Sequence, residues 1–156
     1  MNAFGNPLLK FILLALLGCF CAVLSSAYDE TQSGCIRVEV NGFRNAQGCV
    51  FAALYNGAEG FPALETCVVK RARSVIKDGR AILVFDDIPY GTYAIALVHD
   101  ENDSGAMDQN IFGFPLEGWG FSNDAEGMIG LPDFTEASFR LQSSVINLQI
   151  NLKYFF

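Results

Sequence analysis

Residues 93–99 read Tyr93-Ala94-Ile95-Ala96-Leu97-Val98-His99, and this stretch decides the fold class. Tyr93, Ile95, Leu97 and His99 recur at a period of two, while Ala94, Ala96 and Val98 occupy the alternate positions. Successive side chains of a β-strand point to opposite sides, so the stretch predicts a strand with two apolar faces. The small residues of the second face predict a close packing partner there.

The same period recurs outward in both directions. Ile36, Val38 and Val40 alternate with Arg37 and Glu39, and Cys49–Tyr55 is a nearly continuous apolar run. Between them Asn41-Gly42 and Asn45-Ala46-Gln47-Gly48 have hairpin composition, so the first two strands are expected to pair. Cys67–Ile76 and Ala81–Phe85 flank Lys77-Asp78-Gly79-Arg80, whose Asp-Gly pair predicts a second hairpin. A short strand is expected near Ser138–Leu141. Ile146, Leu148, Ile150, Leu152, Tyr154 and Phe156 then alternate with Asn147, Gln149, Asn151 and Lys153. No segment carries an amphipathic helical period. About seven strands predict an all-β fold, an antiparallel β-sandwich of immunoglobulin-like or prealbumin-like layout with one long loop. The terminal Phe156 raises a membrane-associated β-barrel as an alternative. Spanning strands need about 9–11 alternating residues, however, and Ile36–Val40 is shorter while Ile82–Phe85 does not alternate.

A chain of 156 residues with 51% hydrophobic and 17% charged residues has the composition of one globular domain. Seventeen acidic against ten basic residues, a net charge of −7, speak against nucleic acid and against an anionic membrane surface as partners. Leu8–Leu24 reads LLKFILLALLGCFCAVL and is followed by the small residues Ser25, Ser26 and Ala27. That is the layout of a secretory signal peptide over 1–27. A short linker over 28–34 and the sandwich domain over 35–156 follow. The expected address is exported, periplasmic or extracellular, and removal of the leader, whose only charge is Lys10, shifts the net charge to −8. Competing readings are an uncleaved anchor and lipidation at Cys19 within Leu16-Leu17-Gly18-Cys19; either would be the route to a membrane. Beyond the leader stand Cys35, Cys49 and Cys67, an odd number without a CxxC pair. One bridge plus a free thiol, or three buried thiols, is expected rather than structural zinc.

Almost 40 residues separate His99 from the strand near Ser138, and a connection so long is usually functional or disordered. Phe112, Phe114, Trp119, Phe121, Met128, Ile129, Leu131 and Phe134 give it the apolar mass of a lid or satellite core. It opens with Asp100-Glu101-Asn102-Asp103-Ser104-Gly105-Ala106-Met107-Asp108. Counted from Asp100, oxygen side chains fall at positions 1, 3, 5 and 9, with Gly105 at 6 and the Ala106 carbonyl at 7, the front half of a calcium loop. Asp100, Asn102, Ser104, Ala106 and Asp108 are thus candidate Ca2+ ligands. The site would be weak, because position 12 is Ile111 instead of a bidentate Glu and position 5 is Ser104. A polar turn held by Asx hydrogen bonds, without an ion, is the alternative.

His99, the single histidine, is a candidate ligand contact together with Trp119 and Phe121. A hydrogen-bonded histidine at the core margin is the competing role. Lys70, Arg71, Arg73, Lys77 and Arg80 hold half the basic residues; they read as a solvated hairpin, with an anion site as the rival. No GxSxG or coupled nucleophile is present, so a non-enzymatic binding or envelope-associated module is expected, and a small hydrolase using His99 with loop carboxylates is the alternative. The partner is left open among a protein, a glycan and a small ligand.

Val38–Asn45, Ala53-Leu54-Tyr55-Asn56, Gly60-Phe61-Pro62, Ile88–Ala94, His99–Asn102, Gly113-Phe114-Pro115 and Glu117–Asn123 together resemble the domain-of-unknown-function family 2141. The resemblance covers most of residues 35–154. It implies an exported bacterial all-β domain and carries no established activity. Pro89-Tyr90-Gly91-Thr92-Tyr93 is also similar to carboxypeptidase-regulatory-like and transthyretin-like sandwiches. Hydroxyisourate hydrolases of the latter type end in Tyr-Arg-Gly-Ser, whereas this chain ends in Lys153-Tyr154-Phe155-Phe156, which counts against that enzyme.

Overall fold

The computed structural model of the chain describes residues 32–127 and 130–155. The leader expected over 1–27, most of the expected linker, and Met128 and Ile129 lie outside them. Eight strands are found among the described residues: β1 (Ser33–Asn41), β2 (Cys49–Tyr55), β3 (Lys70–Val75), β4 (Ala81–Pro89), β5 (Gly91–Asp100), β6 (Gly118–Phe121), β7 (Phe139–Leu141) and β8 (Val145–Asn151). They form two sheets, β4-β1-β8 and β3-β2-β5-β6, with β7 pairing β5 beside β6. The fold is the all-β sandwich, and two separate sheets replace the barrel alternative. No helix among the described residues is long and apolar enough to cross a membrane.

The alternation explains the core. Ile36, Val38 and Val40 of β1, Leu83 and Phe85 of β4 and Ile150 of β8 turn inward against Val50, Leu54, Ile95 and Leu97 of the larger sheet. Each of these side chains is at most 2% exposed. Burial of this kind contributes about 1.5–3 kcal/mol per large apolar side chain.

Two expected pairings are corrected. β1 pairs β4 and β8, whereas β2 pairs β3 and β5. Residues 42–48 therefore carry the chain from one sheet to the other, because the apolar faces of β1 and β2 are buried against each other across the core instead of lying side by side. The Asp-Gly turn does form, with Lys77 N–H donating to the Arg80 carbonyl at 2.8 Å and Arg80 N–H to that of Lys77 at 3.1 Å. Beyond this one bridge β3 and β4 part into opposite sheets. β1 and β8 run parallel, in register from Cys35↔Val145 to Asn41↔Asn151; the other strand pairs are antiparallel.

The outer face of β5 receives the partner its alanines require. Ala94, Phe121 and Ala137 form a second cluster, with Phe61, Ala96, Trp119 and Phe134 packed against it. Phe61 meets Tyr55, Phe121 and Phe134 edge-on at centroid distances of 5.3, 6.1 and 5.8 Å. The short helix α1 (Phe134–Ala137) brings Phe134 and Ala137 there, held at its start by the reciprocal capping box of Asp133 and Glu136. The stretch read as one long loop thus contains β6, α1 and a satellite core.

Candidate ligand-binding site

The segment after β5 is built around two buried carboxylates. Asp100 accepts Ser104 N–H at 3.0 Å and Gly105 N–H at 2.7 Å, and its residue has no solvent exposure. Glu117, 4% exposed, accepts Glu101 N–H at 2.9 Å and Asp108 N–H at 3.0 Å. Four backbone donors of a tight polar loop are satisfied this way, and the Ser104 amide shares its hydrogen with a second acceptor. Around them Asn102 Oδ1 accepts Ser104 N–H at 3.0 Å, Asn102 Nδ2 donates to Asp108 at 2.8 Å, and Ser104 Oγ donates to the Ala106 carbonyl at 3.1 Å. Asp100, Asn102, Ser104, Ala106 and Asp108 thus share one loop, closed by side-chain to backbone hydrogen bonds of the polar-turn kind. Glu117 was missed as a site residue: an isolated acid has no periodic signature, and its role depends on the fold bringing two distant amides together.

His99 sits on the inner face, fully buried. Its Nε2 lies 2.8 Å from the Gln47 carbonyl, which can only accept, so Nε2 carries a hydrogen; in the neutral ring Nδ1 then accepts from the Tyr154 hydroxyl at 2.7 Å. Phe43 stands edge-on at 5.0 Å. The ring ties β5 to the crossover and to the C-terminal tail, away from the cleft described below.

Cys49 is equally buried, its thiol donating to Asp103 at 3.0 Å and accepting Arg73 Nε at 3.1 Å. Burial, reinforced by Asp103, pushes this thiol up to about 11, so it stays protonated and is no nucleophile. Asp100 and Asp103 complete a cluster with it. The three described cysteines are unbridged. The basic stretch is largely dispersed: Arg73 pairs with Asp103 at 2.8 Å, Arg71 with Glu65, and Lys70 donates to the Asp86 carbonyl.

Glu101 accepts Arg44 Nε at 2.8 Å and Asn45 Nδ2 at 2.6 Å. Burial alone would raise its carboxyl, but these donors outweigh burial and hold it below the usual carboxylate range. A carboxyl depressed in the folded state adds stability above its unfolded pKa, and that contribution disappears as pH falls through the lower folded value. Melting temperatures of the parent chain and Glu101→Gln should therefore differ at pH 6 and converge below about pH 4. A gap unchanged at pH 3 would remove the carboxylate from that role.

On the outer face of β5 and β6 lies a cleft of about 650 Å³. Gly118 and Gly120 decide its floor. A Cβ at Gly118 would stand 2.5 Å from the Tyr154 ring, and one at Gly120 2.9 Å from Ile150. Only hydrogen fits inward at these positions, so Trp119 and Phe121 take the outer face opposite Val98 and Ala96. Met107, Phe114, Leu131 and Phe155 add walls, and Gln109 supplies a polar group among the described residues. Phe114 stacks on Phe155 at 4.7 Å. The wall at Phe114 belongs to a tight turn in which Asn110 Oδ1 accepts Phe112 N–H at 2.9 Å and Phe114 N–H at 3.0 Å. Its tip leaves Ile111 93% and Phe112 77% exposed. Of the three residues expected to touch a ligand, Trp119 and Phe121 line the cleft and His99 does not.

The family described as "Uncharacterized protein conserved in bacteria (DUF2141)" matches residues 38–149. The chain belongs to this family. The matched segment of the DUF2141 domain spans both carboxylates and Trp119, and ends before Tyr154 and Phe155. No curated protein matches the chain. Among solved structures, a Pseudomonas aeruginosa protein described as a "putative carbohydrate binding protein" is similar at 16% identity and a TM-score of 0.40. The likeness covers 80% of this chain and 93% of that one.

Proposed function

We propose that this DUF2141 domain is a non-enzymatic binding module that is exported, with residues 1–27 as its leader, and that its site is the cleft across Val98 and Trp119. The observation that carries the reading is the cleft itself: about 650 Å³, walled by aromatic and aliphatic side chains, within the range of roughly 300–1,000 Å³ of ligand pockets. Trp119 is the one tryptophan of the chain, so its emission reports directly on occupancy. Neutral N-phenyl-1-naphthylamine should bind saturably with energy transfer from Trp119, and Val98→Phe, which fills the floor, should abolish the transfer. Retention of saturable transfer in that variant would place the site elsewhere.

The second part of the reading is a weak calcium site at Asp100, Asn102, Ser104, Ala106 and Asp108. Their alternate spacing along one loop supports it, as does the capacity of a carboxylate for about four hydrogen bonds, of which Asp100 uses two within the loop. At about 10 mM calcium a site of roughly 10⁻⁴ M affinity adds about 2.7 kcal/mol. The expected result is melting about 5–10 °C higher than in chelator, an increment absent with magnesium and lost in Asp108→Ala. Equal melting in calcium and chelator would leave the loop as a polar turn.

A further inference from the structure

We infer that the cleft takes a basic amphipathic segment of another polypeptide, its apolar side chains seated against Trp119 and its Lys or Arg side chains drawn by the acidic segment, residues 100–139, that builds most of the cleft. This rests on the reading of the cleft as a binding site and adds the chemistry of the occupant.

Charge is the first argument. Residues 100–139 contain nine Asp or Glu and no Lys or Arg. Cations from elsewhere answer three of these acids: Arg44 at Glu101, Arg73 at Asp103 and Lys153 at Glu126. The other acids are held by neutral donors: backbone amides at Asp100 and Glu117, Asn102 at Asp108, Asn151 at Asp124 and the capping box at Asp133 and Glu136. Hydrogen bonds of that kind leave the net charge in place. Met107 and Gln109, both in the cleft wall, precede and follow Asp108 in the chain, and the Asp108 carboxylate is held by Asn102. A low-dielectric cleft built largely by a segment of one charge sign concentrates the opposite sign. A fatty-acid carboxylate or an anionic headgroup meets repulsion there.

Size is the second. The exposed apolar surface continues from the cleft wall, where Leu131 is 59% exposed, onto the turn tip, where Ile111 and Phe112 are 93% and 77% exposed. A small ligand within the cleft leaves that rim in water. A peptide running out across the rim covers it, and contiguous exposed apolar surface of this sort marks a protein contact. A second copy of the chain would cover it too, but brings an equal excess of negative charge against the first.

The test uses protein purified from cells carrying the full-length coding sequence, followed by Trp119 emission. The probes are three tryptophan-free peptides: Ac-Lys-Leu-Phe-Lys-Leu-Phe-Lys-amide and its all-Gln and all-Glu counterparts. At roughly 50 mM salt the Lys peptide should bind about tenfold tighter than the Gln peptide, the gap closing by about 500 mM, and the Glu peptide should not bind. Phe112→Ser should weaken the Lys peptide severalfold while leaving naphthylamine binding unchanged. Asp108→Asn combined with Glu126→Gln should weaken the Lys peptide and spare the Gln peptide.

Equal binding of Lys and Gln peptides overturns the charge argument and leaves the cleft reading standing. Silence toward all three peptides, with naphthylamine still bound, overturns the peptide partner alone; loss of naphthylamine binding as well takes the cleft reading with it. Dodecyltrimethylammonium that binds as tightly as the Lys peptide and ignores Phe112→Ser would substitute a free cationic amphiphile. A dimer in sedimentation that the Lys peptide fails to dissociate would substitute a second copy.

Discussion

Alanine at position 48 should leave little folded protein. Gly48 immediately precedes β2 at a φ of +64°, a region that costs an L-residue about 1–2 kcal/mol. The larger effect is steric. A Cβ there would stand 1.9 Å from the Asp100 carbonyl oxygen and 2.8 Å from the Glu101 carbonyl carbon, both backbone atoms that no rotamer change can move. Relief requires prising the start of β2 from the end of β5, which breaks the pairing of Cys49 with Asp100 and disturbs the Gln47 carbonyl that holds His99. We expect a loss of at least about 4 kcal/mol, comparable with the whole stability of many domains. Gly79→Ala is the control: its φ is +75°, but nothing lies within 4 Å of the added carbon, so about 1 kcal/mol is expected. Urea unfolding of the two variants separates strain from collision. Equal losses would mean the contact at Asp100 is not limiting.

Asp100→Ala should cost about 3 kcal/mol, because hydrogen bonds to a charged group contribute about 1.5–3 kcal/mol and the alanine strands the Gly105 N–H and leaves the Ser104 N–H to Asn102 alone. Asp108→Ala should cost less than about 1 kcal/mol, since that half-buried side chain meets one side-chain amide. Hydrogen exchange gives the local readout. The amides of Ser104 and Gly105 should lose protection in Asp100→Ala before the strands do, whereas those of Glu101 and Asp108, held by Glu117, should lose it in Glu117→Ala. Protection at Ser104 and Gly105 that survives Asp100→Ala would show the loop is closed by other contacts.

The sequence carried some of this plainly. Cys49–Tyr55 is legible residue for residue, because a strand covered on both faces is apolar throughout, and this one is bounded by Gly48 and Asn56. The faces of β5 were equally legible, since Ile95 and Leu97 enter one cluster and Ala94 and Ala96 another. Pairing was not legible between β1 and β2. Alternation tells which side of a strand is buried; it does not tell which sheet the strand joins, and an Asn-Gly connection serves a hairpin and a crossover alike. Gly118–Phe121 escaped notice as a strand because four residues with two glycines lack periodic weight; Gly118 and Gly120 became interpretable once Tyr154 and Ile150 were seen beneath them. The site divided in the same way. Asp100 was reachable from local spacing, while the cleft collects Val98, Phe114, Trp119, Leu131 and Phe155 from segments that approach one another only in the folded chain.

The parallel run of β1 beside β8 gives the domain a direction. Ser33, where the described chain enters, lies at the end where β8 begins, and the chain leaves β8 at the opposite end, where Leu152 bonds Asn41 and Lys153 bonds Trp119. Nine residues of β1 at about 3.3 Å each put roughly 26 Å between those ends. A tag or immobilising linker fused upstream of residue 33 therefore joins the described chain far from Trp119. An appendage at the other end follows Phe155, a wall of the cleft, and should compete with whatever the cleft holds.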